Sequence, residues 1–328
     1  MPEILGKQVG QIGFGLMGLT WRATPPSQEQ AFASLRASLE KGMNLWNAAE
    51  FYGTPEYNSL TLLERYFAKY PEDADKVILM VKGAVGLDAH HPSGEPSEIR
   101  RSIENCLSIL KGRKKIDIFE PARRDKNTPL EITFGAINEY IEKGLVGGIG
   151  LSEVAAATIH EAAKITKILT VENELSLASP DILTNGVAEA CAQYGITLVA
   201  YSPLCRGLLT TQFTSYNDIP QDSFLRLLPR FSPENFETNK KLADQVKALA
   251  EKKGCKPTQL AISWTAHLSR RPGVPEIIPI PGATTVERVE ENSVLVDISD
   301  AEMKEIDDTL AKFEVVGGRY MDQHPINT

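Results

Sequence analysis

The sequence predicts an α/β fold, an (α/β)8 TIM barrel with an N-terminal β-hairpin and long loops at the C-terminal rim. Eight short β-rich runs alternate with amphipathic helical patterns along the 328 residues. Several of these runs are apolar on both faces, which is typical of a parallel sheet covered by helices. Eight parallel strands close such a barrel, and chains of about 250 residues or more commonly form it. We therefore expect one domain over residues 1–328.

The strand elements follow in a regular order. A hairpin comes first, in "EILGKQVGQIG", where a Gly-Lys turn would place two short strands across the floor of the barrel. The eight predicted barrel strands are then QIGFGLMG, GMNLWNA, KVILMVK, KIDIFEP, VGGIGLS, KILTVEN, GITLVAYS and EIIPIPG.

Helices are predicted between these strands, and the clearest pattern is in "SQEQAFASLRASLEKG". Ser27 can cap the N-terminus of this helix and Gly42 can end it. Its apolar face consists of Phe32, Leu35 and Leu39. Between the seventh and eighth strands, a polar and aromatic insertion at residues 210–236 predicts a functional loop at the C-terminal rim.

An open, doubly wound sheet is the alternative fold. Gly13, Gly15 and Gly18 have the spacing of a phosphate-binding GxGxxG turn after the first strand. However, "LTWRATPPS" follows where the helix of that motif should begin. We interpret these glycines as a close-packed strand and turn, which favours the barrel.

Composition narrows the function classes. The net charge of −8 provides no basic surface for nucleic acid. No stretch approaches the roughly 18 apolar residues that span a bilayer, and "MPEILGKQVG" lacks the features of a signal peptide. We expect a cytoplasmic protein.

The four cysteines form no CxxC pair, and His90 and His91 show no ligand-like grouping, so we expect no metal and reduced, buried cysteines.

Polar residues follow two of the predicted strands at their C-terminal ends, where barrel enzymes place their chemistry. The segment "LWNAAEFYG" carries Asn47 at the end of an apolar run and Tyr52 in the following turn. Lys82 is the charge that closes "VILMVK", and a buried ammonium is costly unless it faces a cleft. The alternative is a Lys82 that reaches solvent. A contact between Lys82 and Tyr52 would stabilise the phenolate and make the phenol a usable proton donor near neutral pH.

Five segments, in order, resemble motifs of the aldo-keto reductases: NAAEFYG, VKGAVG, GLVGGIGLSE, LVAYSPLCRGLLT and IPIPGATTVERVEEN. The resemblance covers nearly the whole chain, and "GLMGLTWR", "WNAAEFYG" and "FEPARRD" are most similar to the fungal pyridoxal reductases of that family. It implies a barrel enzyme that reduces aldehydes or ketones with NADPH and without a metal. Tyr52 and Lys82 would be catalytic, and Trp21 and Phe51 would contact the substrate.

Two positions depart from the family pattern. Asn47 stands where the family has an aspartate that pairs with the lysine, so we expect Asn47 to leave the charge of Lys82 uncompensated and to favour the phenolate. Ala122 replaces a histidine and opens space for a bulkier substrate such as a substituted pyridine ring. Arg123 could then supply the missing hydrogen-bond donor. The alternative for Arg123 is a rim charge paired with Asp125.

The resemblance also implies a cofactor site along the rim. Ser152 and Glu172 would hold the carboxamide of the nicotinamide, with Glu153 where the family has asparagine and Glu172 where it has glutamine, and Tyr201 would stack on the nicotinamide ring. The predicted pyrophosphate contacts are Ser202, Leu204, Arg206 and Gly207. The predicted contacts to the 2′-phosphate and adenine are Gly282, Thr284, Arg288, Glu291 and Asn292.

Together these features predict an NADPH-dependent carbonyl reductase, with the reduction of pyridoxal to pyridoxine as the leading reaction and Tyr52 as the proton donor. Two alternatives stay open. One is a reductase of another aromatic or aliphatic carbonyl compound. The other is a non-catalytic, NADPH-binding regulatory subunit. A small-molecule carbonyl compound is the expected partner, and the sequence predicts no oligomeric state.

Overall fold

The structure is a computed structural model that describes residues 2–85, 92–321, 324 and 326–328. It is a barrel of eight parallel strands surrounded by helices, which confirms the predicted fold class. Each strand pairs with the next along the chain, and the last strand returns to the first. Gly15 bridges to Gly282 in parallel, and the Gly13 amide donates to the Pro279 carbonyl at 2.9 Å. These contacts close the barrel.

The elements are numbered in chain order. The hairpin strands are β1 (Glu3–Ile4) and β2 (Lys7–Gln8). The barrel strands are β3 (Phe14–Gly15), β4 (Leu45–Ala49), β5 (Ile78–Gly83), β6 (Ile118–Pro121), β7 (Ile149–Ser152), β8 (Ile168–Glu174), β9 (Thr197–Tyr201) and β10 (Ile277–Pro279). The helices are α1 (Met17–Thr20), α2 (Gln28–Glu40), α3 (Ser59–Lys69), α4 (Pro96–Leu110), α5 (Leu130–Glu142), α6 (Ala156–Ile165), α7 (Val187–Tyr194), α8 (Pro233–Lys253), α9 (Pro257–His267), α10 (Val286–Asn292) and α11 (Asp300–Leu310).

The hairpin closes the floor of the barrel, as predicted. Its turn lies at Leu5 and Gly6, which have φ values of 54° and 74°. Lys7 already belongs to β2, so the turn comes one residue before the predicted Gly-Lys pair. Ile4 and Val9 are buried in one cluster with apolar side chains from six barrel strands. These two side chains therefore seal the interior from below by burying apolar surface.

Helix α2 shows how the outer layer follows from the sequence. The Ser27 hydroxyl accepts a hydrogen bond from the Gln30 amide at 3.2 Å and caps the helix. Phe32 and Leu35 are buried against the barrel, and the chain turns away at Gly42 with a φ of 76°. Cap, apolar face and stop all agree with the prediction.

Alternation along the strands places polar side chains above the apolar layer of the barrel interior. Leu45, Met80 and Ile118 belong to the interior cluster. Successive side chains of a strand point to opposite faces, so residues two positions apart share a face. The next inward-facing residues on these strands are Asn47, Lys82 and Glu120. The C-terminal end of the barrel thus begins with a polar layer.

The predicted insertion at residues 210–236 is only partly a loop. It contains three short 3-10 turns, and its last residues form the start of α8, which begins at Pro233 after the cap Ser232.

None of the helices formed by the described residues is long and apolar enough to cross a membrane. Three of the four cysteines are buried, whereas Cys255 is partly exposed, contrary to expectation. The described residues hold no cluster of metal-ligating side chains, and His90 and His91 lie outside the described residues.

Candidate active site

Three side chains form a closed hydrogen-bonded ring at the C-terminal end of the barrel. The Lys82 Nζ donates to Oε1 of Glu172 at 2.6 Å and to Oδ1 of Asn47 at 2.7 Å. The Asn47 Nδ2 in turn donates to Oε2 of Glu172 at 2.5 Å. All three side chains are buried, with 5% or less of each exposed. The structure therefore brings Asn47 and Lys82 together as predicted and adds Glu172 to them.

The charge of Lys82 is paired, so the expectation that Asn47 leaves it uncompensated is wrong. Burial alone would lower the pKa of Lys82, but the carboxylate of Glu172, the phenol of Tyr52 and Glu120 together raise it above its usual value. Lys82 is consequently an ammonium at neutral pH. Glu172 was predicted as a contact of the cofactor carboxamide, and the structure places its carboxylate on Lys82.

A second carboxyl group, Glu120 of β6, lies beside this ring. Its Oε1 is 3.8 Å from the Lys82 Nζ and 3.4 Å from the Asn47 Nδ2. Its Oε2 has no hydrogen-bond partner among the described residues, and the side chain is fully buried. Burial and the carboxylate of Glu172 raise the pKa of Glu120 well above its usual value. Burial beside a second carboxylate therefore disfavours the charged form of Glu120.

The phenol of Tyr52 lies next to Lys82. The Lys82 Nζ is 5.2 Å from the centroid of the Tyr52 ring. Burial raises the pKa of Tyr52 to about 12, because it outweighs the opposing effect of the Lys82 ammonium. The predicted contact is present, but the expected stabilisation of the phenolate near neutral pH is not. Tyr52 keeps its proton at neutral pH.

The turn that carries Tyr52 is fixed by hydrogen bonds on several sides. The Tyr52 carbonyl accepts from the Thr20 hydroxyl at 2.7 Å and from the Ser59 amide at 3.0 Å. Glu50, at the start of the turn, accepts hydrogen bonds from Arg101, from Ser102 at 2.6 Å and from Asn105 at 2.8 Å, all on α4. The turn is therefore anchored to the helical layer, which sets the position of the phenol.

Three aromatic rings pack together beside the Lys82 ring of hydrogen bonds. The rings of Trp21 and Phe51 lie 6.0 Å apart, and each packs on Tyr52, at 5.6 Å and 5.3 Å between centroids. Trp21 is half exposed. The two predicted substrate contacts therefore lie together next to the predicted proton donor, and they form an apolar wall suited to a flat ring.

Ala122 and Arg123 follow β6 at the rim. Ala122 is almost fully buried, and its carbonyl accepts a hydrogen bond from the Arg123 guanidinium at 2.6 Å. The Arg123 guanidinium also lies 5.7 Å from the centroid of the Tyr320 ring. Asp125, its alternative partner, accepts hydrogen bonds from Gly94 and Thr128 at 3.0 and 2.8 Å. Arg123 is thus half-buried at the rim near Tyr320.

Tyr201, the predicted stacking residue, ends β9 beside a charged cluster. Its hydroxyl donates to Oε1 of Glu153 at 2.8 Å and lies 3.1 Å from the hydroxyl of Tyr320. The Arg319 guanidinium is 3.1 Å from Glu153 and 3.3 Å from Glu174. Burial would raise the pKa of Glu153, but Arg319 and Arg123 hold it below its usual range. The C-terminal segment is thereby tied to the barrel rim by charge.

The predicted pyrophosphate segment has an unusual backbone. Ser202, Cys205 and Arg206 have φ values of 51°, 46° and 54°, and Gly207 has a φ of 101°. Left-handed conformations in non-glycine residues are uncommon and concentrate at functional sites. The Arg206 guanidinium is 3.2 Å from Glu174, donates to the Arg319 carbonyl at 2.7 Å and lies 4.4 Å from the centroid of the Tyr320 ring.

The predicted 2′-phosphate segment lies at the start of α10. Thr285 caps this helix by accepting from the Arg288 amide at 3.4 Å, and the Arg288 side chain is exposed. The Thr284 carbonyl accepts from Gln30 of α2 at 2.8 Å. Glu291 accepts from Lys256 and Thr258, at 2.6 and 2.5 Å. The remaining predicted contacts are placed as follows: Ser152 buried at the end of β7, Leu204 partly buried, Gly282 in the bridge to β3, and Asn292 buried.

Four residues at the site were missed by the sequence analysis. Glu120 shares the inward face of β6 with Ile118, and Glu174 shares a face of β8 with Glu172, so strand alternation was a signal for both. Arg319 and Tyr320 lie in a segment without periodicity, and no sequence pattern indicated their position.

Comparison with known proteins agrees with the fold and the motifs. The model of the Aldo/keto reductase family matches residues 11–311. The chain is 40% identical to "Probable pyridoxal reductase 2" of Schizosaccharomyces pombe, over 98% of each chain. It is 38% identical to "Putative pyridoxal reductase" of Saccharomyces cerevisiae, over 94% of this chain and 95% of the other.

Solved structures show the same barrel. A glycerol dehydrogenase from Gluconobacter oxydans superposes with a TM-score of 0.80 at 23% sequence identity, over 95% of each chain. A thermostable aldo-keto reductase superposes with a TM-score of 0.72 at the same identity. With its family match and its near full-length relatives, this chain belongs to the aldo/keto reductase family.

Proposed function

We propose that this chain is an NADPH-dependent carbonyl reductase that converts pyridoxal to pyridoxine. The observation that carries the proposal is the phenol ring of Tyr52, 5.2 Å from the Lys82 ammonium, at the C-terminal end of an aldo/keto reductase barrel. A protonated phenol beside a fixed cation is suited to donate a proton to a carbonyl oxygen, because the cation stabilises the phenolate that forms.

The side chains along the rim have the chemistry that NADPH requires. Tyr201 offers an aromatic ring for the nicotinamide, and Ser152 offers a hydroxyl nearby. The Ser202–Gly207 turn, with left-handed conformations at Ser202, Cys205 and Arg206, would lie along the phosphate oxygens. The exposed Arg288 would face the 2′-phosphate, and Arg206 would have to exchange Glu174 and the Arg319 carbonyl for the pyrophosphate. When bound, NADPH would supply the hydride.

The chain's own residues would perform the acid chemistry. Tyr52, with its pKa raised to about 12, holds a proton throughout the neutral range and would donate it to the substrate oxygen. Lys82 would stabilise the resulting phenolate, and Glu172 and Asn47 would keep Lys82 charged and oriented. The ability to donate would be lost only as the pH rises toward the pKa of Tyr52.

The substrate assignment rests on two supports. Two relatives with 40% and 38% identity bear the name pyridoxal reductase. Ala122 has a smaller side chain than the histidine of the family, and Trp21 and Phe51 offer flat apolar surfaces to a pyridine ring. Arg123 at the rim could donate to the ring hydroxyl or the carbonyl oxygen of such a substrate. The reaction would belong to vitamin B6 metabolism.

The test is the oxidation of NADPH by the purified protein with pyridoxal, other aromatic aldehydes and aliphatic aldehydes, each over a range of concentrations. The proposal predicts the highest kcat/KM for pyridoxal. A higher kcat/KM for another carbonyl compound would identify that compound, and not pyridoxal, as the preferred substrate. Tight NADPH binding without turnover of any compound would instead identify a non-catalytic NADPH-binding subunit.

A further inference from the structure

The position of Asn47 in the ring requires a side chain that both accepts and donates a hydrogen bond, and an amide does both. It accepts from the Lys82 ammonium at 2.7 Å and donates to the Glu172 carboxylate at 2.5 Å. An ionised aspartate could accept from the ammonium but has no hydrogen to donate to a carboxylate. The resemblance to the family places an aspartate at Asn47 and a glutamine at Glu172. This chain therefore has the same two side-chain groups, one carboxylate and one amide, but the carboxylate is on β8 and the amide is on β4.

Glu120 bears on how many ionised carboxylates the single charge of Lys82 can balance. Two buried carboxyl groups face one ammonium, and a buried carboxylate without a cation is strongly unfavourable. A Cβ atom on Gly150 of β7 would lie 3.0 Å from Oε2 of Glu120 and 2.7 Å from the Thr170 hydroxyl. Gly150 thus leaves space for the Glu120 side chain, whose charged form is disfavoured by burial and by Glu172. Lys82 and Glu172 then balance each other.

We propose that Glu172 is the positioning counter-ion of Lys82, and that strands β4 and β8 have exchanged the carboxylate and the amide that support the catalytic lysine. The inference rests on the proposed reductase function for its kinetic test but not for its stability test. It assigns Glu172 to the acid chemistry and removes it from the cofactor contacts. The other charged and titratable groups that face Tyr52 are Arg123 and Tyr320.

The test is a reciprocal exchange of the two side chains. Asn47→Asp adds a third carboxyl group around Lys82, next to Glu172 and Glu120, and Glu172→Gln removes the counter-ion. Each single variant should lower kcat by about tenfold or more, the effect expected for one buried charge-assisted hydrogen bond, with little change in the Kd for NADPH. The double variant Asn47→Asp/Glu172→Gln restores one carboxylate and one amide, and its kcat should return to within about threefold of the wild type.

Urea unfolding of the same four proteins tests the inference without turnover. Both single variants should unfold at lower urea concentration, and the double variant should recover most of the loss. Asp308→Asn, which removes an exposed carboxylate paired with Lys304, is the matched control and should change neither measurement.

Recovery in both measurements supports the exchange, as does a double variant that folds where Asn47→Asp alone does not. A double variant whose losses equal the sum of those of the single variants would overturn the exchange, and so would a Glu172→Gln protein that behaves as the wild type. Recovery of stability in a protein without carbonyl turnover would overturn the proposed function and leave the exchange intact.

Discussion

Replacing Lys82 by methionine should make the loss of stability grow with pH. Lys82 is buried and lies 2.6 Å from Glu172, and Glu120 is within 3.8 Å. In the wild type, burial and Glu172 raise the pKa of Glu120 well above its usual value, while Lys82 pairs with Glu172. Without the ammonium, two buried carboxyl groups remain and no cation, so the folded variant must hold one more carboxyl proton than the folded wild type.

The magnitude follows from proton linkage. Each proton that only the folded state binds costs about 1.4 kcal/mol of unfolding free energy per pH unit above the ordinary carboxyl pKa of about 4. A group that must be protonated in the folded state contributes full stability below that pH and loses it as the pH rises. The variant should therefore lose up to about 2.7 kcal/mol more than the wild type does between pH 5 and pH 7.

The assay is urea unfolding followed by far-UV circular dichroism at both pH values. The control is Lys82→Met/Glu172→Gln, which also removes the carboxyl group of Glu172. Relative to the wild type at the same pH, its loss of unfolding free energy should be equal at pH 5 and pH 7. If Lys82→Met itself loses the same unfolding free energy, relative to the wild type, at both pH values, then Glu172 does not depend on Lys82 for its charge and the ion pair is not what stabilises it.

Two further substitutions test other parts of the site. Arg288→Ala should weaken NADPH binding by roughly 10- to 150-fold and NADH binding hardly at all, since a charge-assisted contact to the 2′-phosphate is worth about 1.5–3 kcal/mol. Titration by cofactor fluorescence measures both, and equal weakening would make Arg288 structural. Glu50→Ala should lower the unfolding free energy by about 1.5–3 kcal/mol, because the hydrogen bonds that Glu50 accepts from α4 are lost. An unchanged urea midpoint would show that these bonds do not anchor the Tyr52 turn.

Local patterns were sufficient to predict much of the barrel. The cap at Ser27, the apolar face of α2 and the stop at Gly42 are interactions between residues close in sequence, and the structure has all three. The apolar strands and the polar residues Asn47 and Lys82 were equally visible, because strand alternation is a local property. The predicted end of the second strand at Asn47 is wrong, since β4 continues to Ala49.

The electrostatics of the site could not be predicted in the same way. Asn47 and Glu172 are 125 residues apart in sequence, and only the closure of the barrel brings them into contact. Considering only Lys82 and Asn47 predicted that the ammonium of Lys82 has no counter-ion. In the structure, β8 and β6 add the carboxyl groups of Glu172 and Glu120 next to it. The raised pKa of Tyr52 has the same origin, since it depends on burial by the assembled rim.

The C-terminal segment illustrates a second limit. Arg319 pairs with Glu153 and Glu174, and Tyr320 lies against the hydroxyl of Tyr201. These residues follow α11 without helical or strand periodicity, so their position depends on contacts made across the barrel rim.

We propose that Tyr52 donates the proton in an NADPH-dependent carbonyl reduction. Its test compares kcat for NADPH-dependent reduction of pyridoxal, and the Kd for NADPH, between the wild type and Tyr52→Phe. Proton donation by Tyr52 predicts a kcat lower by about 10² to 10⁴, the range for loss of a positioned general acid, with an unchanged Kd. A Tyr52→Phe protein that is folded and keeps kcat within about threefold of the wild type would contradict it.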